Sequence, residues 1–405
     1  MQDHGSLFAG IKVLAAVRVI AAPFATYHLA MHGADVLTIE NPKEPDSMRY
    51  SGDYGTELNK QGMGSGYLAQ NSNKRSMTLN LSDPRGQEIF KRLAKEADIV
   101  AENLVAGTMP RYGLGYEDLK KINPRLIYCS ITGYGQTGPI ARRAAIDAAI
   151  QAAGGVMAQT GTPETGPLRV GFTMVDYATG YSAALAMSMA LYHRERTGEG
   201  QNIDVAMLDA AITMNSASAT RAATTGKMSK LAGNLSGHGA YISDCIPCKE
   251  GAITIAATTP NRRMKVYKGI GREDLATDPR FCTPDLGREN YPELRKELEK
   301  TLLTKTAIEW EELIAAQGGP AMAVRNMVQA TTHPQIVHRG LMHTFDPDPA
   351  LGVSITVPKA AYKLSKTGAK LRTPPPRFGQ HTEEVLGGMG YSMEEIAQLR
   401  AEGII

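Results

Sequence analysis

The sequence predicts an α/β fold built on a mostly parallel sheet, and two observations carry the prediction. The first three segments form a strand–helix–strand unit, and the same alternation of short apolar runs with helix-like stretches continues to about residue 131. Residues 11–17 (IKVLAAV) read as a buried strand, 23–33 as a helix stopped by Gly33, and 34–40 (ADVLTIE) as a second strand. A crossover of that length makes the two strands parallel. SMTLNL (76–81) reads as a third strand. Asp83 and Pro84 then open the amphipathic helix RGQEIFKRLAKEA, with Asp83 as N-cap and the proline in the first turn. DIVAE (98–102) and RLIYCSI (125–131) are the next two strands, and such repetition calls for helices on both faces of the sheet. A long apolar helix runs from about Met174 to His193 and ends in the glycine-containing stretch RERTGEGQ, after which NIDVAMLDAAITM begins another strand-to-helix passage. From about residue 222 the chain turns rich in Gly, Ser and Lys and reads as a linker with a mobile loop. Residues 240–325 form a second block, with AITIAA as a strand and two amphipathic helices. Residues 335–405 return to short strands and end in two helices.

Composition narrows the function classes. A chain of 405 residues with 42% hydrophobic content is long enough for more than one core. Its 44 basic and 41 acidic residues give a net charge of +3, too even for a nucleic-acid binder. No apolar run reaches membrane-spanning length, the first residues lack the pattern of a signal peptide, and four cysteines make no disulfide framework, so a cytoplasmic protein is expected. Cys245 and Cys248 form CIPC but lack the further ligands of a zinc site and precede a strand rather than a helix. His28 and His32 share a helix face without an acidic third ligand. No metal site is expected.

The stretch SITGYGQTGP (130–139) spells GxGxxG after a strand, which raises a dinucleotide-binding reading. That fingerprint also needs an acidic residue ending a strand about 20 positions on, and GGVMAQTGT offers none. Glu40 does end the second strand of a βαβ unit, but the first turn of that unit, VRVIAAP, contains no glycine. The two halves of the fingerprint lie in different units, which speaks against NAD and leaves a dehydrogenase as a third reading that NADH binding would test. What remains is a close-approach turn at the carboxyl end of a parallel strand, where open α/β sheets bind ligands. Arg18, Asn103 and Tyr134 follow other strands, Arg111 follows Asn103, and Lys74 with Arg75 form a basic pair beside the third strand. Such groups suit a phosphate-bearing ligand gathered at one edge.

Several longer motifs occur in one order along the chain: GIKVLAAVRVIAAPFATYHLAMHGADVLTIENP, NKRSMTLNL, ENLVAGTMPRYGLGYEDLKKINPRLIYCSITGYGQTGP, VGFTMVDYATG, HRERTGEGQNIDVAM, DPRF and FGQHTEEVLGGMGY. Together they resemble the class III CoA-transferase family (CaiB/BaiF type), which includes formyl-CoA:oxalate and carnitine CoA-transferases, over nearly the whole chain. On that resemblance the glycine turn is the family's GYGQxGP turn. The resemblance implies a large Rossmann-like domain from both termini (1–224 and 331–405), an inserted small α+β domain (225–330) and an interlocked homodimer. It implies an acyl-CoA and a carboxylate as substrates, coenzyme A as a substrate rather than a resident cofactor, and no metal. Asp176 in VGFTMVDYATG matches the family's nucleophile, a carboxylate that takes the acyl group as a mixed anhydride. Arg18, Lys74, Asn103, Arg111 and Tyr134 match positions near CoA, with Arg75 and Gly135 beside two of them. Thr132 stands where a lysine is often found. The loop GNLSGHG (233–239), with Gly237, His238 and Gly239, matches a lid that shields the anhydride from water.

Two other readings stay open within the same resemblance. A CoA-thioester racemase would pair its aspartate with a histidine, where AID places Ile146. A silent CoA-binding subunit would have no need of Asp176. Arg169, seven residues before Asp176, is a candidate partner for the second carboxylate of a dicarboxylic substrate such as succinate or oxalate. Seven phenylalanines and one tryptophan speak against a large aromatic acyl pocket, leaving short-chain or dicarboxylic acyl groups.

Overall fold

The computed structural model describes residues 5–52, 57–228, 230–235, 242–348 and 351–405. The chain forms two compact units. The larger comprises residues 1–156, 169–219 and 337–405, and the smaller residues 157–168 and 220–336. The parallel-sheet domain is thus built from both ends of the chain with the small one inserted.

In the large unit, β1 (Lys12–Ala16), α1 (Ala21–Met31) and β2 (Asp35–Glu40) make the expected βαβ unit, with Val13 beside Val36 in parallel register. β3 (Lys74–Thr78) starts two residues earlier than the apolar pattern suggests, because Lys74 and Arg75 pair in the ladder with Val36 and Leu37. α2 (Pro84–Glu96) has Asp83 as N-cap, its side chain accepting from the Arg85 N–H, and Pro84 in the first turn, where a missing N–H costs nothing. β4 (Ile99–Glu102) and β5 (Ile127–Thr132) follow, then α3 (Asp147–Ala153), the long α4 (Met174–Thr197), β6 (Asn202–Ala206) and α5 (Met207–Met214). The sheet order is β3-β2-β1-β4-β5-β6, all parallel. The order reverses between β1 and β4, which opens a crevice at their carboxyl ends.

Alternation along the strands divides the core. Val13, Ala15, Ile99, Ala101, Ile127 and Cys129 face α1 and α4, while Leu14, Val100 and Tyr128 face α2 and the chain's last two helices. α1 and α4 approach closely because Gly180 carries no side chain; a Cβ there would lie 2.7 Å from the Ala21 carbonyl. The C-terminal return is sealed by hydrogen bonds from the backbone N–H groups of Ser76 and Thr78 to His381 and Thr382.

The small unit holds the antiparallel sheet β9-β8-β7 (Ala321–Ala323, Ala252–Ala257, Ile242–Pro247). Ile242, Ile253 and Ile255 pack with Val266, Leu298 and Ile314 from the helices Pro260–Ile270, Tyr291–Leu302 and Ala307–Ala316. Trp310 is part of that core and donates to the Leu302 carbonyl. Cys245 lies on β7 and Cys248 just beyond it, both as free thiols. Among the described residues no helix is long and apolar enough to cross a membrane, and no group of three or more His, Cys, Asp or Glu side chains is placed to hold a metal. His28 on α1 and His32 just after it are buried among aromatic rings, His32 Nδ1 bonding the His28 carbonyl.

Candidate active site

The carboxyl edge of the sheet carries two adjoining hollows of the large unit, which share Arg18, Asn103, Leu104 and Val105. One, of about 330 Å³, lies over the ends of β1, β2 and β4 and is lined by Asn41, Asn80, Ser82 and Tyr112 among others. The second, of about 400 Å³, is lined by the turn after β5, the segment leading to α3 and the start of α4, and Asp176 borders it.

Asp176 is the third residue of α4 and is 8% exposed. No side chain of its own caps this helix. The cap comes from Asp147 at the start of α3, whose Oδ2 accepts from the N–H groups of Val175 (2.7 Å) and Asp176 (3.2 Å). Gln151 Nε2 donates to the other Asp147 oxygen at 2.5 Å. Burial first, and the Asp147 charge second, push the Asp176 carboxyl up to about 7 from the usual 3.8. Among the described residues no donor is hydrogen-bonded to the Asp176 carboxylate. No donor from the described residues is there to lower its pKa towards the ordinary aspartate value.

The turn after β1 is fixed on every side. The Arg18 N–H donates to Asn103 Oδ1 (2.9 Å), and Asn103 Nδ2 donates to the Arg18 carbonyl (2.7 Å). Val19 has φ +68°, an unusual conformation for a β-branched residue. Its N–H donates to both Asp46 oxygens (3.2 and 3.1 Å), and its carbonyl accepts from Gln70 Nε2 (2.7 Å). Strain held by so many bonds at a cleft belongs to a positioning device. The Arg18 side chain is exposed, 3.9 Å from Glu44.

The other expected residues divide. In the glycine turn, Gly135 (φ +87°) and Gly138 (φ +104°) adopt conformations that favour glycine, and Gly133 lies against Ala145 with no room for a side chain. The Gly135 N–H donates to Thr132 Oγ1, so it is turned into the loop. Tyr134 packs against the apolar cluster of Ile150, Val175 and Met207 rather than lining either hollow. Arg111 is exposed, its guanidinium over the ring of Tyr112, which lines the first hollow. The structure does not bring the basic pair to the carboxyl edge. Arg75 is the second residue of β3, near the amino end of the sheet, and pairs with Asp35 (2.7 Å) and Glu384 (3.4 Å). Lys74 is buried, its ammonium donating to the Pro23 carbonyl and Asn71 Oδ1, and burial holds its pKa well below the usual lysine range. Gly237, His238 and Gly239 lie outside the described residues. Glu40 is consumed by a buried pair with Arg49 (2.6 Å) and a bond from Ser76, so it is not free to hold a ribose. Asp46, Gln70 and Arg143 escaped sequence reading, and Asp147 entered it only as the acid of AID, without a role.

Comparison with known proteins gives the family. The model of CoA-transferase family III matches residues 8–382. The chain is 35% identical over 400 residues to succinyl-CoA:glutarate CoA-transferase of Homo sapiens, covering 98% of this chain and 89% of that protein. It is 32% identical over 400 residues to the succinyl-CoA–L-malate CoA-transferase beta subunit of Chloroflexus aurantiacus, covering 98% of each. The crystal structure of a CaiB/BaiF family protein from Brucella suis superposes with a TM-score of 0.85 at 32% identity, covering 95% of this chain and 99% of that one. With its Rossmann-like strand order, its carboxyl-edge crevice and its buried aspartate at a helix start, the chain belongs to CoA-transferase family III.

Proposed function

We propose that the protein transfers CoA from an acyl-CoA thioester to a free short-chain or dicarboxylic carboxylate, with Asp176 as nucleophile. The observation that carries this reading is the buried Asp176 carboxylate, free of hydrogen-bond donors among the described residues and bordering the hollow that adjoins the switch-point crevice. An Asp176 oxygen adds to the thioester carbonyl, and collapse expels CoA thiolate and leaves an aspartyl mixed anhydride. The acceptor carboxylate attacks the acyl carbon of that anhydride, forms an anhydride with the acyl group and returns Asp176 to its carboxylate. CoA thiolate then attacks the acceptor's carbonyl, giving the new thioester and releasing the donor acid. No net proton or electron is required.

In this reading CoA lies along the hollow over β1, β2 and β4, with Arg18 and Arg111 as cations for its phosphates and Asn103 holding the Arg18 turn in place. Lys74 acts at one remove, tethering the first turn of α1 through the Pro23 carbonyl. Tyr134 supports Val175, the residue before the nucleophile. The working form is a homodimer, for which the resemblance speaks along with an exposed stripe on α4: Tyr181, Leu185, Met189 and Tyr192.

The test is an exchange assay in D2O read by mass spectrometry, with a panel of CoA thioesters and free carboxylates. The wild type forms new thioesters and Asp176→Ala forms none. Deuterium entering at the α-carbon without exchange of the acid would overturn the reading in favour of a racemase. The exposed Ile146, which lines the same hollow and cannot move a proton, favours transfer over that rival.

A further inference from the structure

We infer that Arg143 and Arg169 read a second carboxylate on the substrate, so that the groups exchanged are those of short dicarboxylic acids; this rests on the CoA-transfer reading above. Both arginines line the hollow that Asp176 borders, Arg143 from the segment before α3 and Arg169 from the irregular lead into α4. Both side chains are exposed, and among the described residues neither guanidinium has an ion-pair or hydrogen-bond partner. The charges around them do not neutralise them. Asp147 already accepts from Val175, Asp176 and Gln151, and Asp176 is buried. The third cation of the hollow, Arg18, sits at the side shared with the crevice and faces Glu44.

Most of the remaining lining is apolar: Ile20, Ala144, Ile146, Ala148 and Met207 among others. A small hollow with methyl-bearing walls, and with a carboxylate and two guanidinium groups that have no bonding partner among the described residues, is complementary to one class of ligand. That class is a short carbon chain with a reacting carbonyl at one end and an anion at the other. Arginine's planar fork suits a carboxylate, and charge-assisted bonds are among the strong ones. Reading the far carboxylate would also place the near carbonyl, which makes the pair specificity-determining for both donor and acceptor.

The alternative occupant of the two arginines is the diphosphate of CoA, which every acyl-CoA carries, and the experiment separates the two. The full chain is assayed with a dicarboxylic pair (succinyl-CoA and glutarate) and a monocarboxylic pair (propionyl-CoA and acetate). Wild type, Arg143→Gln, Arg169→Gln and Arg169→Lys are compared by the ratio of the two kcat/KM values. We expect the wild-type ratio to favour the dicarboxylic pair by about 100-fold or more. Each glutamine variant lowers that ratio by about 30-fold, chiefly through KM for the acid, and Arg169→Lys recovers part of it. A ratio that stays constant while both rates fall together would assign the arginines to CoA phosphates and overturn the inference. An unchanged ratio with unchanged rates would overturn it as well. Absence of any thioester exchange by the wild type, with either pair, would instead sink the CoA-transfer reading on which it rests.

Discussion

At the scale of single residues, the site is defined by a conflict between where Asp176 sits and what its carboxylate must do. The start of a helix favours negative charge, yet burial and the neighbouring Asp147 outweigh that and raise the carboxyl to about 7. In the proposed mechanism the attacking group is the ionised carboxylate, so kcat/KM for the acyl-CoA is expected to rise about tenfold per pH unit below 7 and to level off above it. Asp147→Asn removes the like charge and shifts this limb to lower pH; burial, the larger cause, keeps it above the ordinary aspartate value. A limb that stays in place in that variant would show that Asp147 acts only as a cap. The same shift has a signature in stability. Because the folded state holds its proton to higher pH than the unfolded chain does, the Asp176 contribution falls as pH rises from about 4 to about 7. The melting temperature of Asp176→Asn should therefore gain on the wild type across that window, and a constant difference would contradict the assignment.

At the scale of elements, the glycine turn and α3 bring the pair of acids together. Gly133 leaves room for Ala145, two residues before Asp147, so the turn after β5 seats the segment that carries both Arg143 and the cap of α4. Gly133→Ala is expected to cost about 1–3 kcal/mol through overpacking and to lower kcat/KM by pushing Asp147 from the start of α4. Adding Ala145→Gly restores the space and should return most of both losses; a Gly133→Ala chain that melts like the wild type would disprove the tight fit. This dependence explains what was legible in the sequence. β1, α1, β2, α2, β4 and β5 could be read because local patterns (apolar runs, Asp83 before Pro84, Gly33 after a helix) fix them without tertiary help. The start of β3 could not, since Lys74 and Arg75 look like loop residues until ladder pairing recruits them. Motif order singled out Asp176. Asp46 beneath Val19 and Asp147 beneath α4 stayed hidden, as each acts across 27 or more residues on a backbone N–H that carries no sequence signal. The same limit misplaced Arg75: proximity to Lys74 in sequence suggested a shared anion, whereas neighbouring strand residues point to opposite faces.

At the scale of the whole molecule, the large unit is made of three segments of the chain, with the segments of the small unit inserted between them. We propose that two copies of the chain interlock, as the family resemblance implies. The exposed stripe Tyr181, Leu185, Met189 and Tyr192, between 42% and 65% exposed, gives such a partner an apolar face on α4. Threaded protomers and protomers that merely touch differ in one measurable respect. A face-to-face dimer exchanges subunits at its dissociation rate, whereas interlocked chains must first unfold at least in part. Light scattering is expected to give twice the chain mass of 43.5 kDa. When tagged and untagged protein are mixed after separate expression, no hybrid should form over many hours without denaturant. Co-expression of the two forms, or mixing through denaturant and refolding, should yield hybrids in quantity. Hybrids that appear within minutes of mixing native samples would rule out interlocking while leaving a dimer intact. A mass of 43.5 kDa at working concentration would remove the dimer altogether, and the apolar stripe on α4 would then need another partner.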